Sequence, residues 1–514
     1  SIDTSNEYST LDSVGVHGNP NGGVLLRGAS DSIANSEVYG ASNGWGIDVY
    51  GTDSARPLTV TNNKIHDNSY GVTGSSYVQI TNNEVFNQLS SGRIGIQVNY
   101  VGAVAKSNLV HDNTTGINVN YSAIAMNNEV FVNGTGIASY SGVVSGNRVY
   151  SNSTGISDTG YAQIENNVIY ANSNVGISVS SYHNGQYIRD NTLYQPVGDA
   201  VLIAANTQDV KLYNNIVWVN AGYGVNAGAA LVRFLADYNL FNTPLAGAKV
   251  GLWNNATQAT TLAQWKSASG QDTNSKAGDP LFLDIDGADN VLGEKGLVTG
   301  NGFDDNFGLR ANSPAIDAAN MYYATSTDIQ GLPRRDDPST PNTGDGLPLY
   351  VPAVQAPGFN GSGGTKWNFR QYDSAFSYTL PFSFTFYGKS YTSVYVNSNG
   401  FLQFDGQDSP YGGNNTNSLD MLLRNVRIAP LWDNLATYSP SDSTRDVYVD
   451  SSVAGQVTFR WAAVIEGTNS PVNFSVTLFN DGTFRFDYGP SASGLTPTVG
   501  VSAGNGRTYV LAPY

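Results

Sequence analysis

TNNKIHDNSYGVTGSSYVQITNNEVFNQ (61–88) holds one whole period of the pattern that decides the fold. It opens on an Asn-rich turn and a short apolar strand around Ile65. It then passes through Gly71-Val72, adds a third strand at YVQI (77–80), and returns to the same turn at TNNEVFNQ (81–88). The Asn recurs at Asn63, Asn83, Asn108, Asn128, Asn147, Asn167, Asn191 and Asn215, in steps of 20, 25, 20, 19, 20, 24 and 24 residues, with Ser36 in its place in an earlier copy. Gly followed by Ile or Val recurs with it, at Gly71-Val72, Gly95-Ile96, Gly116-Ile117, Gly136-Ile137, Gly155-Ile156, Gly176-Ile177 and Gly224-Val225. A unit of three short strands cannot bury its own apolar face. Stacked units can, if each strand pairs with its copy in the next coil at about 4.8 Å. The reading is all-β, a right-handed parallel β-helix over residues 1–250. Propeller blades need about 40 residues or more, and a leucine-rich solenoid needs Leu where this chain has Asn and Gly. Turn amides are expected to hydrogen-bond from coil to coil. The recurring Gly is expected at corners that need positive φ.

The 514 residues allow two or three such units of folding. Charged residues are only 13%, and 25 basic against 41 acidic residues leave a net charge of −16. That balance repels nucleic acid and anionic lipid. It suits Ca²⁺ and neutral or metal-bridged glycans. With no Cys, disulfides, Cys-ligated zinc and thiol chemistry are excluded. No run of about 20 apolar residues exists to span a membrane, and the polar start at Ser1 reads as a mature or excised segment. The expected setting is extracellular or the cell surface.

Three residues after each repeated Asn stands a ring: His66, Phe86, His111, Phe131, Tyr150, Tyr170, Tyr194 and Trp218, with Tyr39 following Ser36. The residue before each ring is Val, Ile or Leu, and strand alternation makes that aliphatic the inward one. The rings are therefore expected to stack outside the coil. Two roles follow: a platform for a linear polysaccharide, or a structural ladder.

Residues 251–345 read as a closing segment. TTLAQWKSASGQD (260–272) predicts a short cap helix started by Thr260 or Thr261, with Leu262 and Trp265 on one face. Asp284, Asp286 and Asp289 share one Gly-containing loop, a pattern that suits Ca²⁺, with Asp304 and Asp305 near enough in sequence to add ligands. PRRDDPSTPNTGDGLP (333–348) predicts a linker.

Over residues 346–514 the Asn repeat is gone. Alternating strands replace it, as in FSYTLPFSFTFYG (376–388) and GQVTFRWAAVIE (455–466), and Asn480-Asp481-Gly482 predicts a hairpin turn. The pattern predicts an antiparallel β-sandwich. Asp433, after Trp432, predicts a loop cap rather than a metal ligand.

The repeats resemble the β-helix family that includes pectin- and alginate-acting enzymes and many surface proteins. DPLF (279–282), SPAID (313–317) and TDIQGLPR (327–334) resemble the closing segment of large secreted β-helix proteins. LPFSFTFYG, VNSNGFLQF, IAPLWDN and VTLFNDGTFRF resemble the nidogen-like domain, which implies an extracellular interaction module without cofactor or reaction.

The catalytic motifs of the pectin- and alginate-acting enzymes are absent as sets. Glu84 and Glu129 lie at equivalent places two coils apart with Leu109 between them; Asp67 and Asp112 do the same with Asn87 between them. Glu165 stands alone. Lys64, Arg93, Lys106, Arg148 and Arg189 are scattered and read as solvated side chains. The sequence thus favours a non-catalytic surface or matrix protein, a rigid spacer with an adhesion-type sandwich, whose partner is a polysaccharide or a cell-surface or matrix component. The alternatives are a polysaccharide lyase or glycoside hydrolase acting on the helix flank, and a repeated module of a very large filament or surface layer. The oligomeric state is not legible.

Overall fold

A computed structural model describes residues 2–4, 7–88, 92, 94–180, 185–294, 300–321, 323–332, 334, 340, 343–344, 350, 358–406, 408–410, 417–504 and 509–512. It divides into two compact units: Ser1–Pro333 with Asp337–Gly344, and Arg334–Asp336 with Asp345–Tyr514. Most of the predicted linker (333–348) lies outside the described residues. Among the described residues no helix is long and apolar enough to cross a membrane.

In the first unit, among the described residues, 33 short strands cycle in order through three parallel sheets, making eleven coils. One coil contributes Thr115–Asn120, Ile124–Met126 and Glu129–Phe131; the next contributes Thr135–Ser139, Val143–Ser145 and Arg148–Tyr150. They pair in register, Ile117 beside Ile137, Ala125 beside Val144 and Val130 beside Val149. These inward aliphatics are fully buried and form one continuous core. Like meets like at every step because the period of two sends alternate residues inward.

The repeated Asn forms a ladder at the turn between the second and third sheets. Asn108 shows the pattern: its backbone N–H and its Nδ2 both donate to Asn128 Oδ1, at 2.9 and 3.0 Å, and Nδ2 also donates to Ile80 O at 2.9 Å. A second amide ladder, Asn68, Gln88, Asn113, Asn133, Asn152 and Asn172, follows the third sheet and satisfies the next turn in the same way. The residue before the first ladder takes the left-handed conformation, as at Asn62 (φ 55°), Asn82 (φ 57°) and Asn127 (φ 55°). Asn tolerates this better than most residues.

The recurring Gly has a different cause from the one expected. Its φ is not positive; it sits inside the first sheet where coils approach closely. A Cβ on Gly116 would lie 2.6 Å from Gly136 O and 2.9 Å from a Val130 methyl carbon.

The stack is closed at its C-terminal end. Thr257–Ala259 turns back antiparallel on Ala248–Trp253. Helix α1 (Leu262–Ser269) then follows, started by a capping box in which Thr261 and Gln264 bond each other's backbone, and ended by Gly270 in the left-handed region. Its Trp265 is buried against Gly251 and donates to Asp272 Oδ2 at 2.7 Å. From there the chain runs back along the outside of the third sheet. Phe282 meets Trp218, Phe307 meets Tyr194 and Tyr170, and Phe303 meets Phe131. Further on, Tyr323 stacks on Tyr213 at 3.7 Å, and Asn320 exchanges hydrogen bonds with Asn214.

The second unit is a pair of six-stranded antiparallel sheets. One runs in the order 365–366, 446–450, 456–465, 471–479, 484–488, with 435–436 beside 456–465; the other runs 375–386, 389–397, 401–406, 425–432, 498–503, 509–511. Their inner faces carry buried Phe384, Phe401, Phe459, Trp461 and Phe474. Trp461 stacks on Phe474 at 5.0 Å, and its Nε1 donates to Asn397 O at 2.9 Å, tying one sheet to the other. Gly482 (φ 86°) turns the predicted hairpin. Asp433 caps loops, accepting from the backbone N–H groups of Asn434 and Thr496. Arg427 is buried, held between Phe401 and Trp432, and burial lowers its pKa to about 9.

Candidate functional site

The aromatic column exists and begins one coil earlier than the repeats indicate, at His17. Its signal was the pair Val16-His17, which lies in register with Val38-Tyr39. From His17 through Tyr39, His66, Phe86, His111, Phe131 and Tyr150 to Tyr170, successive centroids are 4.8–5.3 Å apart with planes within 5–15° of parallel. That geometry favours the ladder of the two roles. A sugar stacks on a bare ring face, and here each face is covered by the ring of the next coil. The returning segment closes the lower half further: Phe131, Tyr150, Tyr170 and Tyr194 are buried in one cluster with Phe282 and Phe307, and Trp218 packs on Phe282. The column has the geometry of a structural ladder, each stacked pair contributing about 0.5–1.5 kcal/mol.

Of the basic groups read as scattered and solvated, Arg148 and Arg189 are instead paired, Lys64 and Lys106 are exposed, and Arg93 lies outside the described residues. His66 lies between Asp67 (2.7 Å) and Glu37 (3.1 Å), and His111 lies 2.8 Å from Asp112 and 3.6 Å from Glu84. Glu165 does not stand alone: Arg189 of the next coil ion-pairs with it. Arg148 donates to Glu129 at 3.2 Å, to the Tyr170 hydroxyl at 3.1 Å, and to the carbonyls of Gly302 (2.7 Å) and Asp305 (3.2 Å). Burial raises the Glu129 pKa and pushes Asp305 up to about 6. This cluster has the ingredients of acid–base chemistry; the returning segment packs on it through Gly302 and Asp305 and leaves the Arg148 and Glu129 side chains 24% and 23% exposed.

Asp284, Asp286 and Asp289 do not form a cage. Among the described residues no three His, Cys, Asp or Glu gather closely enough to hold a metal. Asp284 lies in a strand opposite Asn306. Asp289 accepts from Val291 N and Asn301 Nδ2, and Asp304 accepts from Ala288 N and Asp289 N. Asp289 and Asp304 thus hold their own loop.

Two features went unread in the sequence. One is a row of tyrosines at the corner after the first sheet, where Tyr100 and Tyr121 stack at 5.2 Å and both are half exposed. Their spacing (77, 100, 121, 140, 161) was legible beside the stronger Asn repeat. The other is a cavity of about 320 Å³ on the outer face of the 456–465 sheet, lined by Tyr448, Gln456, Thr458, Arg460, Ser475 and Thr477 beneath the loop at 358–363. Strand alternation places Thr458 and Arg460 on the outward face, because Val457, Phe459 and Trp461 are buried inward. Nothing local indicated that a distant loop would cover them.

Residues 1–153 and 139–240 match the family described as right handed beta helix region, and residues 351–513 match the family described as NIDO related. No curated protein matches the chain. Among solved structures, XylC in complex with xylose is similar at 10% identity over 65% of this chain, with a TM-score of 0.35; the chain spans 64% of that protein. Pectate lyase Pel9A is similar at 16% identity over 61% of this chain and 89% of its own, with a TM-score of 0.36. At such identities and TM-scores neither protein's chemistry transfers to this chain.

Proposed function

We propose that this chain, a right-handed parallel β-helix followed by a nidogen-related domain, is a non-catalytic extracellular scaffold. Its β-helix is a rigid rod, and its C-terminal domain is an adhesion-type module that engages a polysaccharide or matrix component. One observation carries the reading. On the rod, the aromatic column and the Glu129–Arg148 cluster are engaged by neighbouring coils and by the returning segment, whereas the C-terminal sheet carries a polar cleft. A rod of this kind suits stiffness: each coil is tied to the next by sheet pairing and two amide ladders.

The test is incubation of the full chain with a panel of polysaccharides, with Ca²⁺ and with chelator, followed by assay for new reducing ends and for the ultraviolet absorbance of unsaturated sugars. Retention of the chain on a glycan or matrix component without product is the expected result. Product formation overturns the reading, and its type separates hydrolase from lyase.

A further inference from the structure

We propose that the cleft of the C-terminal domain is a site for a single uronic acid residue, with Arg460 taking its carboxylate; this rests on the reading of that domain as the binding module.

Arg460 is only 7% exposed. Its guanidinium lies over the Tyr448 ring at 3.9 Å, and its Nε donates to Gly363 O at 3.0 Å. Tyr448 is also its side-chain hydrogen-bond partner, and no carboxylate among the described residues forms an ion pair with it. Arg485, on the same face, differs: its Nε donates to Asp487 Oδ2 at 2.7 Å, and Asp487 also accepts from Gly358 N. Asp450 is likewise engaged, by the backbone and hydroxyl of Ser452. An arginine this buried is ordinarily matched by a carboxylate or phosphate, since leaving its charge unpaired is unfavourable. Burial does lower its pKa. An anion is the partner this fork suits, and the planar guanidinium is matched by a carboxylate.

The rest of the lining selects what carries that carboxylate. Thr458 and Thr477 hydroxyls meet at 2.8 Å on the floor, with Gln456 and Ser475 beside them, while Phe479, Asp450 and the Arg485–Asp487 pair complete the lining. A floor of hydroxyls and an amide suits a ligand with many hydroxyls of its own. It suits an acidic peptide side chain less, because the methylenes of that chain would meet polar groups. The volume of about 320 Å³ is near the lower end for small-molecule sites, enough for a sugar residue and not for a buried polymer. A chain of net charge −16 repels long polyanions, so one uronate within or ending a mostly neutral glycan fits better than a polyuronate.

The experiment is titration calorimetry and thermal melting of the full chain with glucuronate and galacturonate, with glucose and galactose as neutral controls, and with a short glutamate peptide. A uronate is expected to bind at least tenfold tighter than its neutral counterpart and to raise the melting temperature. Arg460→Met should fold without ligand and lose at least tenfold in uronate affinity; Arg460→Lys, which keeps charge but not the fork, should lose part of it. Thr458→Val should weaken uronate binding with Arg460 intact. Equal binding of uronate and neutral sugar, tighter binding of the peptide, or unchanged binding by Arg460→Met overturns the proposal. Retention of Arg460→Met on a glycan or matrix component overturns the cleft while leaving the binding-module reading standing; loss of all retention by the wild-type chain overturns both.

Discussion

Asn147 Oδ1 accepts two hydrogen bonds from Asn128 of the preceding coil, from its backbone N–H at 3.0 Å and from its Nδ2 at 2.9 Å. Asn147 in turn donates to Asn167, Ala125 O and Ser145 O. One side chain thus satisfies groups from several turns. Asn147→Ala leaves buried donors and carbonyls unpaired, each at a cost of about 1–3 kcal/mol. The expected loss is about 2–4 kcal/mol, read as a lower urea midpoint. A loss under about 0.5 kcal/mol would show that water replaces the amide.

Asp158 makes the rod sensitive to pH. It is 1% exposed, accepts from Gly160 N and Ala162 N (both 3.3 Å) and Gln186 Nε2 (2.5 Å), and burial pushes its pKa up to about 6. The folded state holds this proton more tightly than the unfolded state does, so stability falls as pH rises from about 4 to about 6 and is level above. The expected fall is of order 2–3 kcal/mol. Asp158→Asn should remove its share of this slope, and the remainder should belong to the other carboxyls that burial raises, Asp305 (to about 6), Glu129, Asp48, Asp272 and Asp446. Identical pH profiles for variant and wild type would sink the assignment.

Arg148 fastens the returning segment. Arg148→Met leaves Glu129 buried without its cation and removes the donor to the carbonyls of Gly302 and Asp305. The expected cost is about 3–5 kcal/mol, with faster proteolysis between residues 282 and 309. Adding Glu129→Gln should recover part of it, because the uncompensated charge goes. Additivity of the two substitutions would show that they are not coupled.

The cap depends on a close approach. A Cβ on Gly251 would lie 2.3 Å from Trp265 Cε3. Gly251→Ala should therefore destabilise the last coil by displacing the ring, as Trp265→Ala does by removing it, at about 3–5 kcal/mol for the latter. Tryptophan fluorescence should report the displacement; an unshifted spectrum with unchanged stability would refute the tight fit.

The period of about 20 residues, the inward aliphatics and the Asn ladder were legible in the sequence, because a solenoid makes neighbours in space out of equivalent places in the repeat. Arg148, Glu129, Tyr170 and Gly302 were not legible as one cluster. Three of them lie in consecutive coils, but the fourth arrives from a segment more than 130 residues later, and no periodicity announces where that segment lands. The same limit hid Arg460. Alternation along 456–465 placed it outside the sandwich, and only the loop at 358–363, remote in sequence, turned an exposed arginine into a buried one. The repeated Gly shows the finer division. Its recurrence was plain, but its cause, a carbonyl oxygen of the next coil within 3 Å of a would-be Cβ, is a distance between coils. Sequence by itself determined what repeats, since local alternation and turn chemistry act on each unit separately. Tertiary structure decided which faces stayed open, since coverage depends on where distant segments return.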